Sequence, residues 1–352
     1  MTADSLMTIN PLQDERWDPF VDAHPDSSVY LHSAWLRVLA SSYPHVRPVA
    51  YVKVSEGRLK AALPVCAIRS RVTGNRQVSL PFTPYCNPLV ERESDAADLL
   101  EGPIRATAGG ATFYELRTLG AVPGIGGKGL KCHDYHMTHI LDLRAGFDGV
   151  QRNISSNIIT NKKRAVKAGV TIRPAESEAD WKTFHAIHAV TRRKQGFPIQ
   201  PYSFFANMRR FLGPENKVQI LLAEVKGVPV AGIVLFQYRE TMSYEIGASL
   251  PEYLEERPNH LLLWTAVESA CAQGRKFFDF GKSPPDNPGL VEFKRRWGAE
   301  RRDCPYYYYP EVAGVMAVEQ NSLKHRAMRL LLRRAPLSVA KLLSRGLYHH
   351  LG

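Results

Sequence analysis

Three consecutive stretches of alternating apolar residues constrain the fold of this chain more than any other feature. Two-residue turns, Lys226-Gly227 and Arg239-Glu240, separate them. Connections this short join neighbouring antiparallel strands, so the pattern predicts a β-meander. The predicted strands run Val218 to Val225, Val228 to Tyr238 and Thr241 to Ala248.

Around the meander, the chain predicts two similar halves. In the second half, two helices precede the meander, and a helix from about Asn259 to Gln273 leads into a strand at Phe277. In the first half, helices precede a hairpin of Val46 to Val54 and Leu59 to Ile68, and a helix and further strands follow. With 352 residues the chain is long enough for two domains. We therefore predict an α+β fold with an N-terminal domain at 1–150, a second domain at 151–315 and a helical tail at 316–352.

The charge of the chain is strongly positive. Its formal net charge is +12, which predicts attraction to polyanions such as tRNA, nucleotide-linked sugars or anionic lipid, with an inert basic surface as the alternative. The tail from Asn321 to Gly352 holds seven Lys/Arg and no acid, with apolar residues at helical spacing. Two interpretations remain open for the tail: a helix docked on the body, or a basic amphipathic element resting on an anionic membrane.

Several absences limit the class of protein. No run of apolar residues is long enough to cross a bilayer, and the N-terminus lacks a signal-peptide pattern. The five cysteines include no C-x-x-C pair. We therefore expect a cytoplasmic protein, with contact to the inner face of the membrane as an open possibility. His133, His136 and His139 do not share one strand face and have no fourth soft ligand nearby, so we predict no metal site and no tightly bound cofactor.

The stretch after the strand at Phe277 gathers polar residues around a turn. Asp279, Lys282, Lys294 and Arg296 flank Gly281, Pro284 and Pro285, and a short helix with one apolar edge follows. Loops at strand ends commonly carry functional side chains. This stretch is therefore the predicted centre of the chemistry.

Several blocks of sequence between about Trp17 and Tyr309 carry a family resemblance. The most specific block is Phe293-Lys294 followed by Trp297-Gly298. The first half adds His32-Ser33-x-Trp35, Leu63-Pro64-Val65 and Ser79-Leu80-Pro81-Phe82. Further blocks are Thr191-Arg192-Arg193, Gly196-Phe197-Pro198, Phe204-Phe205, Ala231-Gly232-Ile233, Tyr244-Glu245-Ile246-Gly247-Ala248-Ser249, Leu262-Leu263-Trp264 and Phe277-Phe278-Asp279-Phe280-Gly281-Lys282. With these blocks, the second half resembles the Fem-like branch of the GNAT superfamily of acyltransferases.

This resemblance implies two tandem GNAT-like domains, each a mixed and mostly antiparallel sheet flanked by helices. It also implies transfer of an acyl or aminoacyl group onto an amine. Well-known relatives add amino acids from aminoacyl-tRNA to peptidoglycan precursors, and others resemble accessory enzymes of exopolysaccharide pathways. The acceptor implied here is an anionic small molecule or envelope precursor.

The resemblance also implies site residues. Lys294 would place its charge beside the developing oxyanion or the leaving group. Asp279, Tyr244 and Glu245 are the other predicted catalytic residues, as proton acceptors or hydrogen-bond donors. The predicted substrate-binding residues are Arg192, Arg193, Phe197, Tyr202, Lys282, Phe293, Arg296, Trp35 and Tyr85.

Two departures from the family pattern affect the donor and the acceptor. Acyl-CoA enzymes bind pyrophosphate with a Gly-containing segment, whereas Leu250 to Pro258 has no glycine and three carboxylates, which would repel a CoA pyrophosphate. Fem enzymes tend to have a lysine where this chain has Leu39. We therefore expect aminoacyl-tRNA as the donor and keep acyl-CoA as the alternative. A basic membrane- or RNA-associated scaffold without catalysis is the alternative from another class.

Overall fold

The computed structural model describes residues 5–70, 74–122, 124–125, 128–311, 323–348 and 350, without the side chains of 134–135 and 323–325. The chain forms two compact units. The first unit comprises Met1–His136, Asp303–Gln320 and Gly346–Gly352, and the second comprises Met137–Arg302 and Asn321–Arg345. The chain passes between the units within two long strands, between residues 136 and 137 and between residues 302 and 303.

The first unit contains a mixed sheet with strand order β1-β2-β3-β4-β6-β13, and β5 pairs with β3. The single helix predicted after the hairpin is two helices in the structure, and these meet at Leu100. Pro103 lies in the first turn of the second helix, a position where proline is tolerated because its missing N–H has no partner there. The elements are β1 (Ser5–Ile9), α1 (Trp17–Ala23), α2 (Ser33–Ser42), β2 (Val46–Ser55), β3 (Arg58–Ile68), β4 (Arg76–Val78), β5 (Leu89–Val90), α3 (Glu93–Leu99), α4 (Glu101–Ala108), β6 (Tyr114–Arg117), the start of β7 (Lys131–Asp142) and most of β13 (Glu300–Tyr309).

The second unit is built on the predicted meander, and its strand order is β7-β12-β11-β10-β9-β8. All pairs are antiparallel except β11 with β12. Its remaining elements are α5 (Gly146–Asn153), α6 (Ser156–Lys167), β8 (Val170–Pro174), α7 (Glu178–Gln195), α8 (Tyr202–Leu212), β9 (Val218–Val225), β10 (Val228–Tyr238), β11 (Thr241–Ser249), a 3-10 turn (Pro251–Tyr253), α9 (Pro258–Ala272), β12 (Phe277–Asp279), α10 (Pro288–Arg295), α11 (Leu323–Arg334) and α12 (Leu337–Tyr348).

Side-chain alternation along β10 explains how helices cover both faces of this sheet. Ala231 and Ile233 belong to the core cluster that includes the buried face of α9. Gly232, between them, faces α7, where an added Cβ would lie 2.8 Å from the Phe184 ring. The absence of a side chain at position 232 therefore lets α7 pack closely against the strand.

The predicted α+β class is confirmed, with a mixed, mostly antiparallel sheet flanked by helices and with helices in the C-terminal tail. Within the described ranges, no helix is both long enough and apolar enough to span a membrane.

Candidate functional site

The end of β12 forms a rigid turn around Asp279. This carboxylate is buried, and its Oδ1 accepts hydrogen bonds from the Thr138 hydroxyl and from the backbone N–H of Gly281 at 2.8 Å. Gly281 has a φ of +72°, and a Cβ at this position would lie 2.7 Å from the Tyr244 carbonyl oxygen. Glycine is thus required both for the left-handed backbone and for the close approach of the turn to β11.

Lys294 holds this turn from the side of α10. Its ammonium donates hydrogen bonds to the carbonyl oxygens of Gly281, at 2.6 Å, and Lys282, at 3.3 Å. The side chain is only 3% exposed. Lysine side chains are rarely buried so completely. Here the fold holds the ammonium group of Lys294 at the end of β12. The structure therefore places Lys294 at the predicted centre, where it positions the turn.

Tyr244 and Glu245 lie where β11 departs from regular pairing. Leu235 of β10 pairs with Tyr244 and Val234 pairs with Ile246, so the ladder skips Glu245 as a β-bulge. Bulges often lie next to active sites, where they redirect side chains. The phenol oxygen of Tyr244 lies over Gly247, where a Cβ would be 1.9 Å away. Burial raises the pKa of Tyr244 to about 12, so the phenol stays protonated and can donate a hydrogen bond.

Two buried polar side chains near this turn, those of His139 and Ser283, were not predicted as site residues. Met137 and Ser283 exchange backbone hydrogen bonds of 3.1 and 2.7 Å, which brings β7 beside the turn. His139 Nδ1 and the Ser283 hydroxyl are buried and have no hydrogen-bond partner among the described residues. Burial, followed by the charges of Lys294 and Arg301, lowers the pKa of His139. From its sequence context, His139 is a candidate only for a metal ligand, and within the described part of the chain no group of three potential metal ligands exists.

A cavity of about 470 Å³ adjoins the other face of α10. Side chains from α6, from the start of α9 and from α10 line this cavity. Phe293 and Arg296, both predicted substrate contacts, belong to its lining. The lining residues are Asn157, Asn161, Arg164, Arg257, His260, Gly289, Glu292, Phe293 and Arg296.

The cavity carries excess positive charge. Three of the lining residues are arginines and one, Glu292, is an acid. Glu292 already accepts hydrogen bonds from Arg295 and Arg296, which lower the pKa of its carboxyl to about 2. Burial and the neighbouring Arg257 lower the pKa of His260 to about 4, so the imidazole is neutral near pH 7. The three carboxylates of the Leu250–Pro258 segment are not among the lining residues, whereas Arg257 of the same segment is.

Three predicted substrate-binding residues lie around the C-terminal end of α7. Arg192 donates to the Pro198 carbonyl at 3.0 Å, and its guanidinium lies 4.8 Å from the centre of the exposed Phe197 ring. Arg193 donates instead to the carbonyl of Ala335 at 2.7 Å, which fixes the tail on the second unit. Its guanidinium is thus already used within the fold.

The remaining predicted contacts are spread over separate places. Tyr202 opens α8 against His185, with ring centres 5.5 Å apart, and Lys282 is exposed on the turn. In the first unit, Trp35 is 0% exposed and its indole N–H donates to Thr83 Oγ1 at 3.0 Å, so it packs in the core. Tyr85 is partly exposed and lies edge-on to Tyr30.

Comparison with known families assigns a large part of the second unit to a family. Residues 152–295 match the family model for an acetyltransferase (GNAT) domain. This segment is a GNAT domain. It contains the meander, the bulged β11, all of α10 and every residue that lines the cavity except Arg296. None of the curated proteins matches the sequence.

Solved structures extend the similarity beyond the GNAT domain to most of the chain. FemX is 15% identical and has a TM-score of 0.68, covering 90% of this chain and 99% of its own. L-PGS from Bacillus licheniformis is 16% identical with a TM-score of 0.57, over 91% and 97%. A tandem GNAT protein from the clavulanic acid biosynthesis pathway is 13% identical with a TM-score of 0.56, over 87% and 98%. At these identities the likeness shows the fold, which is the predicted tandem GNAT-like fold and is consistent with the Fem-like branch. A fold of this kind supports acyl or aminoacyl transfer from a donor to an amine.

Proposed function

We propose that this protein forms an amide bond by moving an aminoacyl or acyl group from a phosphate-bearing donor to an amine of a cell-envelope or polysaccharide precursor. The observation that carries the proposal is the arginine-lined cavity on one face of α10, the helix whose other face presents Lys294 to the end of β12. One short helix thus links a site for phosphate with a buried charge. A transferase needs both, since the donor must be held while its carbonyl reacts.

The reaction assigns a task to each group. The amine nitrogen attacks the donor carbonyl carbon, and a C–N bond forms as the C–O bond of an ester or the C–S bond of a thioester breaks. One proton passes from the amine to the leaving oxygen or sulfur. Lys294 supplies positive charge near the developing oxyanion, and the protonated phenol of Tyr244 donates to the oxyanion or to the leaving group. Glu245 and Asp279 are the carboxylates available to accept the amine proton.

Phosphate is the chemistry common to both candidate donors, because aminoacyl-tRNA and acyl-CoA both carry phosphate groups. Guanidinium groups match phosphate oxygens in pairs of hydrogen bonds, and the cavity offers Arg164, Arg257 and Arg296. The cavity also lies at the start of α9, where the helix dipole favours an anion. Its volume accommodates part of a cofactor-sized ligand.

Aminoacyl-tRNA remains the proposed donor, in line with the FemX-like and L-PGS-like fold. Acyl-CoA is the second candidate, and a specific observation favours it. The acids of Leu250–Pro258, which argued against a CoA pyrophosphate, do not line the cavity, whereas Arg257 from the same segment does.

Ligand-induced stabilisation tests the proposal and separates the donors. We expect either CoA or charged tRNA to raise the melting temperature of the full chain, and Arg257→Ala to abolish most of that rise. Loss of a charge-assisted hydrogen bond of about 1.5–3 kcal/mol corresponds to an affinity roughly 10–100-fold weaker. Arg210→Ala, an exposed arginine on α8, is the matched control.

The possible outcomes of this experiment distinguish the candidate donors and the scaffold. Stabilisation by CoA alone would replace aminoacyl-tRNA as the proposed donor. Equal stabilisation of the wild type and the Arg257→Ala variant would refute the cavity as the donor site. No stabilisation by either donor would also favour the non-catalytic scaffold.

A further inference from the structure

The two C-terminal helices are docked on the second unit through a narrow face of mostly small residues. Leu332, Ala335, Ala340 and Ser344 are buried. The Ser344 hydroxyl accepts a hydrogen bond from the Ile199 N–H at 2.9 Å. The docked-helix interpretation of the tail therefore holds for α11 and for α12 as far as Arg345.

The outward side of the same helices is unusually apolar. Ten large apolar side chains are exposed among the described residues, and five of them lie on α11 and α12. Leu342 is 68% exposed, Leu331 56% and Leu330 49%. On α12 the exposed apolar residues are Val339, Leu342 and Leu343. Because Leu342 and Leu343 lie three and four residues after Val339, the three side chains form one stripe beside the docked face. Soluble surfaces seldom concentrate exposed apolar side chains in one short segment without a binding role.

Basic side chains accompany these apolar residues. Between Asn321 and Gly352 the sequence holds seven Lys/Arg and no Asp or Glu. Six of these cations have described side chains, and none forms an ion pair with an acid in the described part of the chain. The six are Arg326, Arg329, Arg333, Arg334, Lys341 and Arg345. Their charge is therefore not neutralised locally and is available to an anionic partner.

The combination of exposed leucines and uncompensated cations points to one kind of partner. RNA would use the cations, but it would leave Leu330, Leu331 and Leu342 in water. A protein groove would cover the leucines, but it would have to match a high density of positive charge. The interface of an anionic bilayer accepts both, because acyl chains bury the apolar side chains while lipid phosphates meet the cations.

We propose that α11 and α12 form a peripheral membrane-docking face, defined by Leu330, Leu331, Val339, Leu342 and Leu343 with their neighbouring Lys and Arg residues, that binds anionic phospholipid bilayers. The face lies on helices that are already folded onto the second unit, so binding does not require a disordered segment to fold. It recruits the protein to a bilayer surface through two helices that are too short and too polar to span the bilayer. This inference does not depend on the identity of the donor or on catalysis.

Vesicle co-sedimentation of the full chain tests the face. Phosphatidylglycerol-containing vesicles should retain the wild type, whereas phosphatidylcholine vesicles should not, and added salt should weaken the binding. Leu342→Gln combined with Leu343→Gln keeps the charge constant and should lower the fraction bound at least fivefold. Val228→Gln, which changes an equally exposed apolar residue at the start of β10, is the control and should bind as the wild type does.

Circular dichroism checks that the variants remain folded, which is expected because the substituted side chains are exposed. Failure of the wild type to bind phosphatidylglycerol vesicles would refute the proposal. Binding that survives the double leucine substitution but is lost with salt would also refute it, since charge alone would then explain the association. In that case, tRNA binding that is equally insensitive to the leucine substitutions would identify a nucleic-acid surface instead.

Discussion

Replacing Lys294 by methionine tests two roles of one side chain, its hydrogen bonds to the turn and its proposed catalytic charge. Methionine keeps the length and the apolar stem but removes the ammonium. In the wild type, this ammonium donates to the carbonyls of Gly281 and Lys282 from a position that is 3% exposed. The substitution therefore tests a structural contact and a proposed catalytic charge together.

The structural cost follows from these two hydrogen bonds. A hydrogen bond to a charged donor contributes about 1.5–3 kcal/mol, and the longer bond to Lys282 contributes less than the 2.6 Å bond to Gly281. Removing a buried charge also relieves its desolvation, which offsets part of the loss. We expect the free energy of unfolding to fall by roughly 2 kcal/mol, measured by urea denaturation. Lys276→Met, at an exposed position before β12, should change it by less than about 0.5 kcal/mol.

The catalytic cost should be larger and should appear in kcat. Loss of one preorganised group that stabilises an oxyanion lowers kcat by about 100–1000-fold. The assay is mass-spectrometric detection of amide formation from acetyl-CoA or charged tRNA onto amino sugars and peptidoglycan precursors, with variants compared at equal folded fraction. A Lys294→Met variant that loses stability but keeps a near wild-type kcat would refute the catalytic role and leave Lys294 as a residue that only positions the turn.

Two further predictions concern the turn and the pH dependence of stability. Gly281→Ala should lower the free energy of unfolding by about 2 kcal/mol or more, because it adds a clash with the Tyr244 carbonyl to the strain of a positive φ. Gly274→Ala has nearly the same φ, +71°, with nothing within 4 Å, so a loss equal to that of Gly281→Ala would contradict the clash. Burial lowers the pKa of His188 to about 3, so between this value and about 6.5 the unfolded chain binds a proton that the folded chain does not. The free energy of unfolding should therefore fall as the pH drops below about 6.5, and His188 should account for roughly 2–3 kcal/mol of this loss at pH 4.5. Urea denaturation of the His188→Gln variant should show a pH dependence that is smaller by this amount. The same pH dependence in the variant and the wild type would refute the assignment to His188.

Local sequence patterns predicted the elements of the second unit well, because each depends on residues close together in the chain. The strands Val218–Val225 and Val228–Tyr238 are observed with the predicted bounds. The capping box of Ser177 and Asp180 and the left-handed Gly196 set the ends of α7 through neighbouring residues. Such signals are readable without tertiary contacts.

The parts that sequence analysis missed depend on contacts between distant residues. The cavity joins Arg164, Arg257 and Arg296, which no local pattern connects. The bulge at Glu245 is a property of its pairing with β10 and leaves no mark on the alternation that predicted the strand. The hydrogen bond from Arg193 to a carbonyl of the tail, more than a hundred residues away, is likewise indicated by no local pattern.

The adjacency of Phe293 and Lys294 gains a physical meaning from the geometry of α10. Successive helical residues point about 100° apart, so the two side chains cannot face the same space. Phe293 lines the cavity, whereas Lys294 points to the carbonyls of the Gly281–Lys282 turn. A donor held in the cavity therefore contacts the Phe293 side of the helix, and the charge of Lys294 can contact it directly only if the turn gives up its hydrogen bonds. Under the proposed function, the turn would thus control access to the charge, and the stability of the turn and the rate of transfer would be two properties of one set of contacts.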